Sequence, residues 1–192
     1  PMRVGYSVGD ITAGFYAVAA ILAALRHRDV VSGKGQHIDL ALLDAQVASI
    51  SHVGMMYLVS GRQPPRLGNA SPITCPWQSF DCSDGQLVVA VGNDPQFAAF
   101  CRVLGHPEWA SDERFATNPL RASNRLVLVP LLAEVLRQRP VREWHEAFEA
   151  AGVPTGPINN FEQVFADPQI QHRQMRLDLP HAAAGTVPQV AN

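Results

Sequence analysis

The sequence has few cysteines, almost no lysine and no block of like charges, and each shortage excludes a class of protein. Its three cysteines, Cys75, Cys82 and Cys101, form no CxxC pair. This pattern predicts reduced thiols in a cytoplasmic protein and argues against a disulfide framework. Lys34 is the one lysine among fifteen Lys and Arg residues, and the formal net charge is −2. Charges that are so few and so dispersed indicate neither a nucleic-acid partner nor a membrane surface.

Metal, phosphate-loop and membrane signals are also missing. The seven histidines are scattered without a metal-ligand spacing, so we expect no metal. Lys34 lies between two glycines, but the rest of the Walker pattern is absent, and three residues alone are weak evidence for a nucleotide site. The apolar run over residues 11–25 is shorter than the roughly 20 residues that a membrane span needs. We therefore expect no membrane segment.

That apolar run is the stretch around which the chain is organised. Residues 11–25 are apolar apart from Thr12. Gly9-Asp10 directly precedes this run, and three basic residues follow it at 26–28. A helix that is apolar almost all round is normally buried. A carboxylate is favoured at the N-terminus of a helix, where the first N–H groups lack partners and the helix dipole is positive. The pattern therefore places Asp10 at the mouth of a buried helix. Taken alone, it favours a simple N-cap over a catalytic role.

The remaining pattern predicts a mixture of helices and antiparallel strands without an internal repeat. We expect a short strand over 36–42, a second helix from Asp44 to Ser60, and a proline-rich linker or functional loop over 61–76. A hairpin around Ser83-Asp84-Gly85 should join strands at 77–82 and 86–91. Later helices are predicted over 94–104, 123–139, 141–151, 161–165 and from 167, with a last strand starting at Leu177.

Several short motifs then resemble one family in their order and spacing. They are Gly9-Asp10, Gly33-Lys34-Gly35-Gln36 leading to 39–45, Asp84-Gly85 leading to Gly92, Gln96-Phe97, Gly152-Val153-Pro154 before 157–159, and Asp167-Pro168-Gln169 followed by Arg173. In this order they resemble the class III CoA-transferase family, which also contains the α-methylacyl-CoA racemases. The resemblance covers nearly the whole chain.

The resemblance implies a particular domain organisation. Residues 1–60 would be the last piece of a large, Rossmann-like CoA-binding domain that is mostly missing, here a helix–strand–helix segment. Residues 61–76 would be a linker, residues 77–180 a small α+β domain, and residues 181–192 the start of a return to the large domain. Both ends of the sequence look cut, so we expect a fragment of a protein about twice as long. Family members form interlocked homodimers, which the resemblance also implies here.

The resemblance further implies the substrates and the reacting residue. Asp10 matches the family's catalytic carboxylate, which attacks an acyl-CoA and later carries CoA as an aspartyl thioester before a carboxylic acid receives it. CoA is then a substrate, no prosthetic group is expected, and most CoA-binding residues would lie outside this sequence. The family's glycine-rich active-site loop corresponds to the region of Gly68 and Asn69, which has one glycine instead of several. The family background suggests a role in fatty acid metabolism.

Two other functions stay open at this point. The first is an acyl-CoA racemase or epimerase, in which Asp10 would exchange the α-proton together with a histidine outside this sequence. The second is a non-catalytic fragment or dimerisation module, in which Asp10 is only a cap. The sequence does not distinguish transferase from racemase, and it does not identify the acyl group.

Overall fold

The computed structural model describes residues 4–191, which divide into two units between Arg66 and Leu67. The first unit is helical. Its α1 spans Val8–His27 and continues as a π-helical turn, Arg28–Ser32, that ends at Gly33 with φ +67°. Two shorter helices follow, α2 over Leu42–Ser49 and α3 over Ser51–Ser60. The division between the units lies within the predicted 61–76 linker.

Two predictions for the first unit are wrong. Residues 36–41 form no strand, because no second strand lies beside them within the described part of the chain to accept their backbone hydrogen bonds. The predicted second helix begins at Leu42, two residues before Asp44, and it breaks near Ile50. Ser51 has φ +49° there, and α2 and α3 differ in direction by 77°. The expected helix–strand–helix piece of a Rossmann-like domain is therefore not observed.

The helix that contains the apolar run is longer than the run itself, so its length does not exclude a membrane span. Val8–Ser32 is helical over 25 residues and is apolar enough to cross a membrane by length and composition. The bent pair α2 and α3 would also qualify if it were one span. The core helix of a water-soluble protein has the same length and composition. Within this unit the large apolar side chains are mostly exposed, as Phe15 at 72% and Leu58 at 73% illustrate.

The second unit is a mixed α/β structure, as predicted for this part of the chain. An antiparallel sheet has the order β1-β2-β3, and a separate hairpin pairs β4 with β5. The strands are β1 Trp77–Asp81, β2 Gln86–Ala90, β3 Thr155–Pro157, β4 Arg176–His181 and β5 Gly185–Val190. The helices are α4 Asp94–Leu104, α5 Asn118–Ser123, α6 Arg125–Leu136, α7 Val141–Ala150, α8 Phe161–Ala166 and α9 Pro168–His172.

The core of the second unit lies between the sheet and helices α4, α6 and α7. Alternation along β2 turns Leu87 and Val89 inward, where both are fully buried. Phe148 of α7 stacks on Phe100 of α4 with ring centroids 4.8 Å apart. The indole Nε1 of Trp144 donates to the carbonyl of Leu136 at 2.9 Å, so the buried polar end of this ring is satisfied. The hairpin predicted around residues 83–85 is confirmed by the pairing of β1 with β2.

The predicted boundary at 180/181 cuts through an element. His181 pairs with Gly185 in the β4–β5 hairpin, so residues 176–190 belong together. The predicted boundary at 76/77 is likewise not a structural division, because Ser71 N donates to the carbonyl of Trp77 at 2.9 Å. The second half of the predicted linker is therefore attached to the second unit.

Arg121 is the one fully buried charged side chain among the described residues. Its guanidinium donates to the carbonyls of Cys75 and Phe115 and to Asp94 Oδ1, at 2.8, 2.9 and 2.8 Å. It also lies over the ring of Phe97, 4.3 Å from the centroid. A buried guanidinium is tolerated because its donors are used. Arg121 thus ties the segment before β1 to α4 and α5.

We predict that Arg121→Met lowers the free energy of unfolding of the second unit by about 3 kcal/mol, because two buried carbonyls and Asp94 lose their donor. The measurement is urea unfolding of the 192-residue chain followed by tryptophan fluorescence. All three tryptophans, at 77, 109 and 144, lie in the second unit.

The matched control is Arg114→Met. Arg114 is bound to Asp112 at 2.7 Å, but its side chain is 55% exposed, and exposed ion pairs contribute little to stability. The urea unfolding midpoint of Arg114→Met should match that of the unmodified chain. Equal midpoints for both variants would contradict the role of Arg121.

Candidate active site

Asp10 is the third residue of α1, whereas the sequence pattern predicted a position before the helix. Ser7 occupies the N-cap position without a side-chain capping bond, and Val8 and Gly9 already belong to the helix. The carboxylate of Asp10 is exposed, and no donor among residues 4–191 forms a hydrogen bond or ion pair with it. The interpretation of Asp10 as an N-cap is therefore wrong, because a cap must accept from the helix's own first N–H groups.

The surroundings of Asp10 favour a negative charge that remains available for chemistry. The amides of the first helical turn point towards the N-terminus of α1, where the helix dipole is positive. Ile11 N donates to the carbonyl of Ser7 at 3.1 Å, and Thr12 Oγ1 donates to the carbonyl of Val8 at 2.7 Å. These bonds define the turn that holds Asp10 without using its carboxylate. The arrangement suits a nucleophile or a base that must be free to react.

The other acids of the first unit occupy different settings. Asp29 is bound to Arg28 Nε at 2.7 Å. Asp44 is the third residue of α2, whose N-cap is Ala41. Asp39 lies in the extended stretch before α2. Asp44 therefore resembles Asp10 in its position within a helix, which makes it a useful matched control.

The candidate loop residues Gly68 and Asn69 lie in the second unit. Gly68 has φ +63°, which favours glycine. Asn69 is docked on β1 through both ends of its amide: Nδ2 donates to Ser79 Oγ, and Oδ1 accepts from Ser79 N at 3.2 Å. The Asn69 side chain is thus already used in holding the loop, and Gly68 is the residue with conformational freedom.

A set of side chains from α5 and α6 fixes the residues after this loop. Asn118 donates to the carbonyl of Ile73 at 2.9 Å and accepts from Cys75 N at 3.1 Å. Arg125 donates to the carbonyls of Ser71 and Pro72 at 3.0 and 3.4 Å. Sequence reasoning missed these residues and Arg121, because isolated polar side chains in short helices carry no periodic signal.

The three cysteines are free and buried, which bears on whether a thiol could be the nucleophile. Burial raises the pKa of Cys82 to about 11, with Asp84 and Asp81 adding to the effect. Burial likewise raises the pKa of Cys101 to about 12, and it raises that of Cys75 despite the opposing charges of Arg125 and Arg121. Thiols that stay protonated and buried are poor nucleophiles. None of the three thiols is therefore a good candidate for a nucleophile.

No group of three or more His, Cys, Asp or Glu residues within 4–191 is arranged to hold a metal ion. Four histidines have local partners. His106 Nδ1 lies 2.9 Å from Glu108 Oε1, His145 Nδ1 lies 2.9 Å from Thr155 Oγ1, and His27 Nδ1 lies 3.1 Å from Ser32 Oγ. His181 Nδ1 accepts from the backbone N–H groups of Ala183 and Ala184. Of these four, His27 lies in the unit that contains Asp10, at the opposite end of α1.

Comparison with known proteins identifies the family. The sequence model of CoA-transferase family III matches residues 1–192. The chain belongs to this family. It is 46% identical over 187 residues to a succinate–glutarate CoA-transferase of Agrobacterium fabrum, with 97% of this chain and 46% of that protein covered. It is 38% identical to the human succinyl-CoA:glutarate CoA-transferase, with 97% and 42% covered. The chain thus spans about half the length of the curated relatives it matches.

Solved structures agree with the family assignment. A CAIB/BAIF family protein from Brucella suis is 41% identical and superposes with a TM-score of 0.75, covering 97% of this chain and 52% of that one. A Mycobacterium tuberculosis protein superposes with a TM-score of 0.85 over 100% of this chain and 50% of the other, at 23% identity. At 23% identity, the similarity to this second structure shows only a shared fold.

We predict that Ellman's reagent at about pH 8 labels none of the three thiols in the folded family III chain, because their raised pKa values and burial keep them protonated and inaccessible. In urea all three should react at once. The measurement is the absorbance of the released thiolate against time. Rapid labelling of one thiol before unfolding would contradict the burial and would reopen the question of a cysteine nucleophile.

Proposed function

We propose that the protein transfers CoA from an acyl-CoA to a carboxylic acid, with Asp10 as the covalent nucleophile. The observation that carries the proposal is the unpaired, exposed Asp10 carboxylate in the first turn of an apolar helix of a family III chain. A carboxylate is a weak nucleophile in water. Binding of an acyl-CoA over the exposed apolar surface of α1 would strip water from Asp10 and raise its reactivity.

The transfer consists of four nucleophilic substitutions at an acyl carbon, each of which forms one bond and breaks one. The Asp10 carboxylate attacks the thioester carbonyl and expels CoA thiolate, which leaves a mixed anhydride. The thiolate then attacks the Asp10 carbonyl, so that the donor acid departs as a carboxylate and an aspartyl-CoA thioester remains. The acceptor carboxylate attacks this thioester and expels CoA thiolate again. The thiolate finally attacks the acceptor's carbonyl and regenerates Asp10.

We propose small dicarboxylic acids as the substrate class, with succinyl-CoA as donor and glutarate as acceptor. Relatives at 46% and 38% identity carry names with succinate or succinyl-CoA and glutarate. An acetyl-CoA:oxalate CoA-transferase of Acetobacter aceti is 36% identical over 176 residues, with 91% of this chain and 45% of that protein covered. These names support short acids over the fatty acids that the resemblance first suggested.

The loop at Gly68 and the expected homodimer belong to the same proposal. Gly68 is free to change conformation while Asn69 is held on β1, which supports a loop that moves about a fixed base. The exposed apolar side chains of α1, α2 and α3 support a protein surface that covers the first unit in the complete molecule. An interlocked homodimer would provide such a surface.

We predict that Asp10→Ala, in the protein made from its complete coding sequence, lowers kcat for transfer from succinyl-CoA to glutarate by about a thousandfold or more, because the nucleophile is gone. The fold should be unaffected, since no hydrogen bond within residues 4–191 depends on the Asp10 side chain. The measurement is glutaryl-CoA formation by chromatography, alongside far-UV circular dichroism.

Asp44→Asn is the matched control, because Asp44 also lies in the first turn of a helix. It should keep nearly full activity. Equal losses in the two variants would overturn the assignment of Asp10. Deuterium uptake at the α-carbon of a branched acyl-CoA without any transfer would instead favour the racemase alternative, and neither reaction in the unmodified protein would favour a non-catalytic role.

A further inference from the structure

Gly9, the residue before Asp10, is a glycine for which the backbone gives no reason. It lies inside α1, and its φ is not positive. Glycine in that conformation disfavours a helix relative to alanine. Because glycine has no Cβ, it lets another group approach the backbone closely.

The group that approaches Gly9 is the side-chain amide of Gln46 on α2. A Cβ added at Gly9 would lie 2.9 Å from Gln46 Oε1, closer than carbon and oxygen atoms tolerate. The other end of the same amide is also held, because Nε2 donates to Ser49 Oγ at 3.2 Å. The Ser49 hydroxyl in turn donates to the carbonyl of Gln46 at 2.7 Å. The Gln46 amide is therefore placed against α1 by a short network within α2.

This contact continues the one place where the first unit is tightly packed. Ala13 and Ala45, at 7% and 3% exposure, are the two buried residues within 4–66. Gly9 and Ala13 are four residues apart and so share one face of α1, while Ala45 and Gln46 are neighbours on α2. Asp10 is turned about 100° away from that face, so the packing holds its backbone and leaves its side chain free.

We propose that Gln46 is a positioning residue for Asp10, acting through Gly9; the inference rests on the transferase function proposed above. The start of α1 has no side-chain cap, and uncapped helix ends fray. A nucleophile in a fraying turn would spend much of its time out of line with the thioester. The Gln46 amide, seated on Gly9, holds this turn in the helical conformation and keeps Asp10 aligned.

The test is a double-mutant cycle of Gly9→Ala and Gln46→Ala in the complete protein. Gln46→Ala removes the contact, and Gly9→Ala pushes the flexible amide aside. Each should lower kcat by about ten- to hundredfold with little change in KM for the acyl-CoA, because alignment is lost and binding is kept. The double variant should lose no more than either single variant, since both break one contact. Additive losses would overturn the proposal.

Gly14→Ala is the matched control, because Gly14 lies on the same helix and a Cβ there meets nothing within 4 Å. It should keep the kcat of the unmodified protein. If adding a methyl group anywhere on α1 lowered activity, Gly14→Ala would lose as much kcat as Gly9→Ala. That result would contradict a specific role for Gln46.

A second readout does not depend on activity. Amide hydrogen exchange over the first turns of α1, read by mass spectrometry, should be faster in Gln46→Ala than in the unmodified protein and unchanged in Gly14→Ala. Unchanged exchange in Gln46→Ala would overturn the positioning role by itself. Faster exchange with an unchanged kcat would also overturn it. An unmodified protein that performs no transfer would instead refute the proposed function, and the exchange data would still show whether Gln46 holds the turn.

Discussion

The close approach of α1 and α2 is the constraint on which the placement of Asp10 depends. The two helices are in contact, and Ala13 on α1 and Ala45 on α2 are the two buried residues within 4–66. This packing fixes the direction of α1 at its N-terminal end. The carboxylate one turn earlier then projects from a defined position at the positive end of the helix dipole, with no partner of its own among the described residues.

A different interaction organises the second unit. The buried guanidinium of Arg121 binds the carbonyls of Cys75 and Phe115 together with Asp94. Arg125 and Asn118 bind the carbonyls just upstream. A proline-rich stretch with little secondary structure thereby becomes a rigid part of this unit. The residues on the C-terminal side of Gly68 are thereby held on the second unit.

Local signals predicted the second unit well and the first unit poorly. The hairpin around residues 83–85 and the helix that starts at Asp94 depend on turn and cap residues next to them in sequence, and both are confirmed. The strand expected at 36–42 needs a neighbouring strand, and its alternation could not reveal that none lies beside it in the described chain. The break near Ile50 and the burial of Arg121 depend on packing between distant residues, which a sequence pattern does not encode.

The family was predicted from the sequence, whereas the local setting of Asp10 was not. The motif around Gly9-Asp10 pointed to the right family, which the match over residues 1–192 confirms. The expected cap role of Asp10 was wrong, because the helix begins at Val8, three residues before the apolar run. The contact of Gln46 with Gly9 could not be foreseen, since 37 positions separate them and neither belongs to a recognisable pair.

If Asp10 is the nucleophile, it becomes covalently bound to CoA during transfer, and this intermediate can be trapped. The complete protein is incubated with succinyl-CoA in the absence of an acceptor acid, reduced with borohydride and digested for mass spectrometry. An aspartyl thioester would be reduced to the alcohol, so the account predicts homoserine at position 10 and unmodified aspartate at positions 39 and 44. Unmodified Asp10 in a preparation that still transfers CoA, or reduction at another acid, would contradict it.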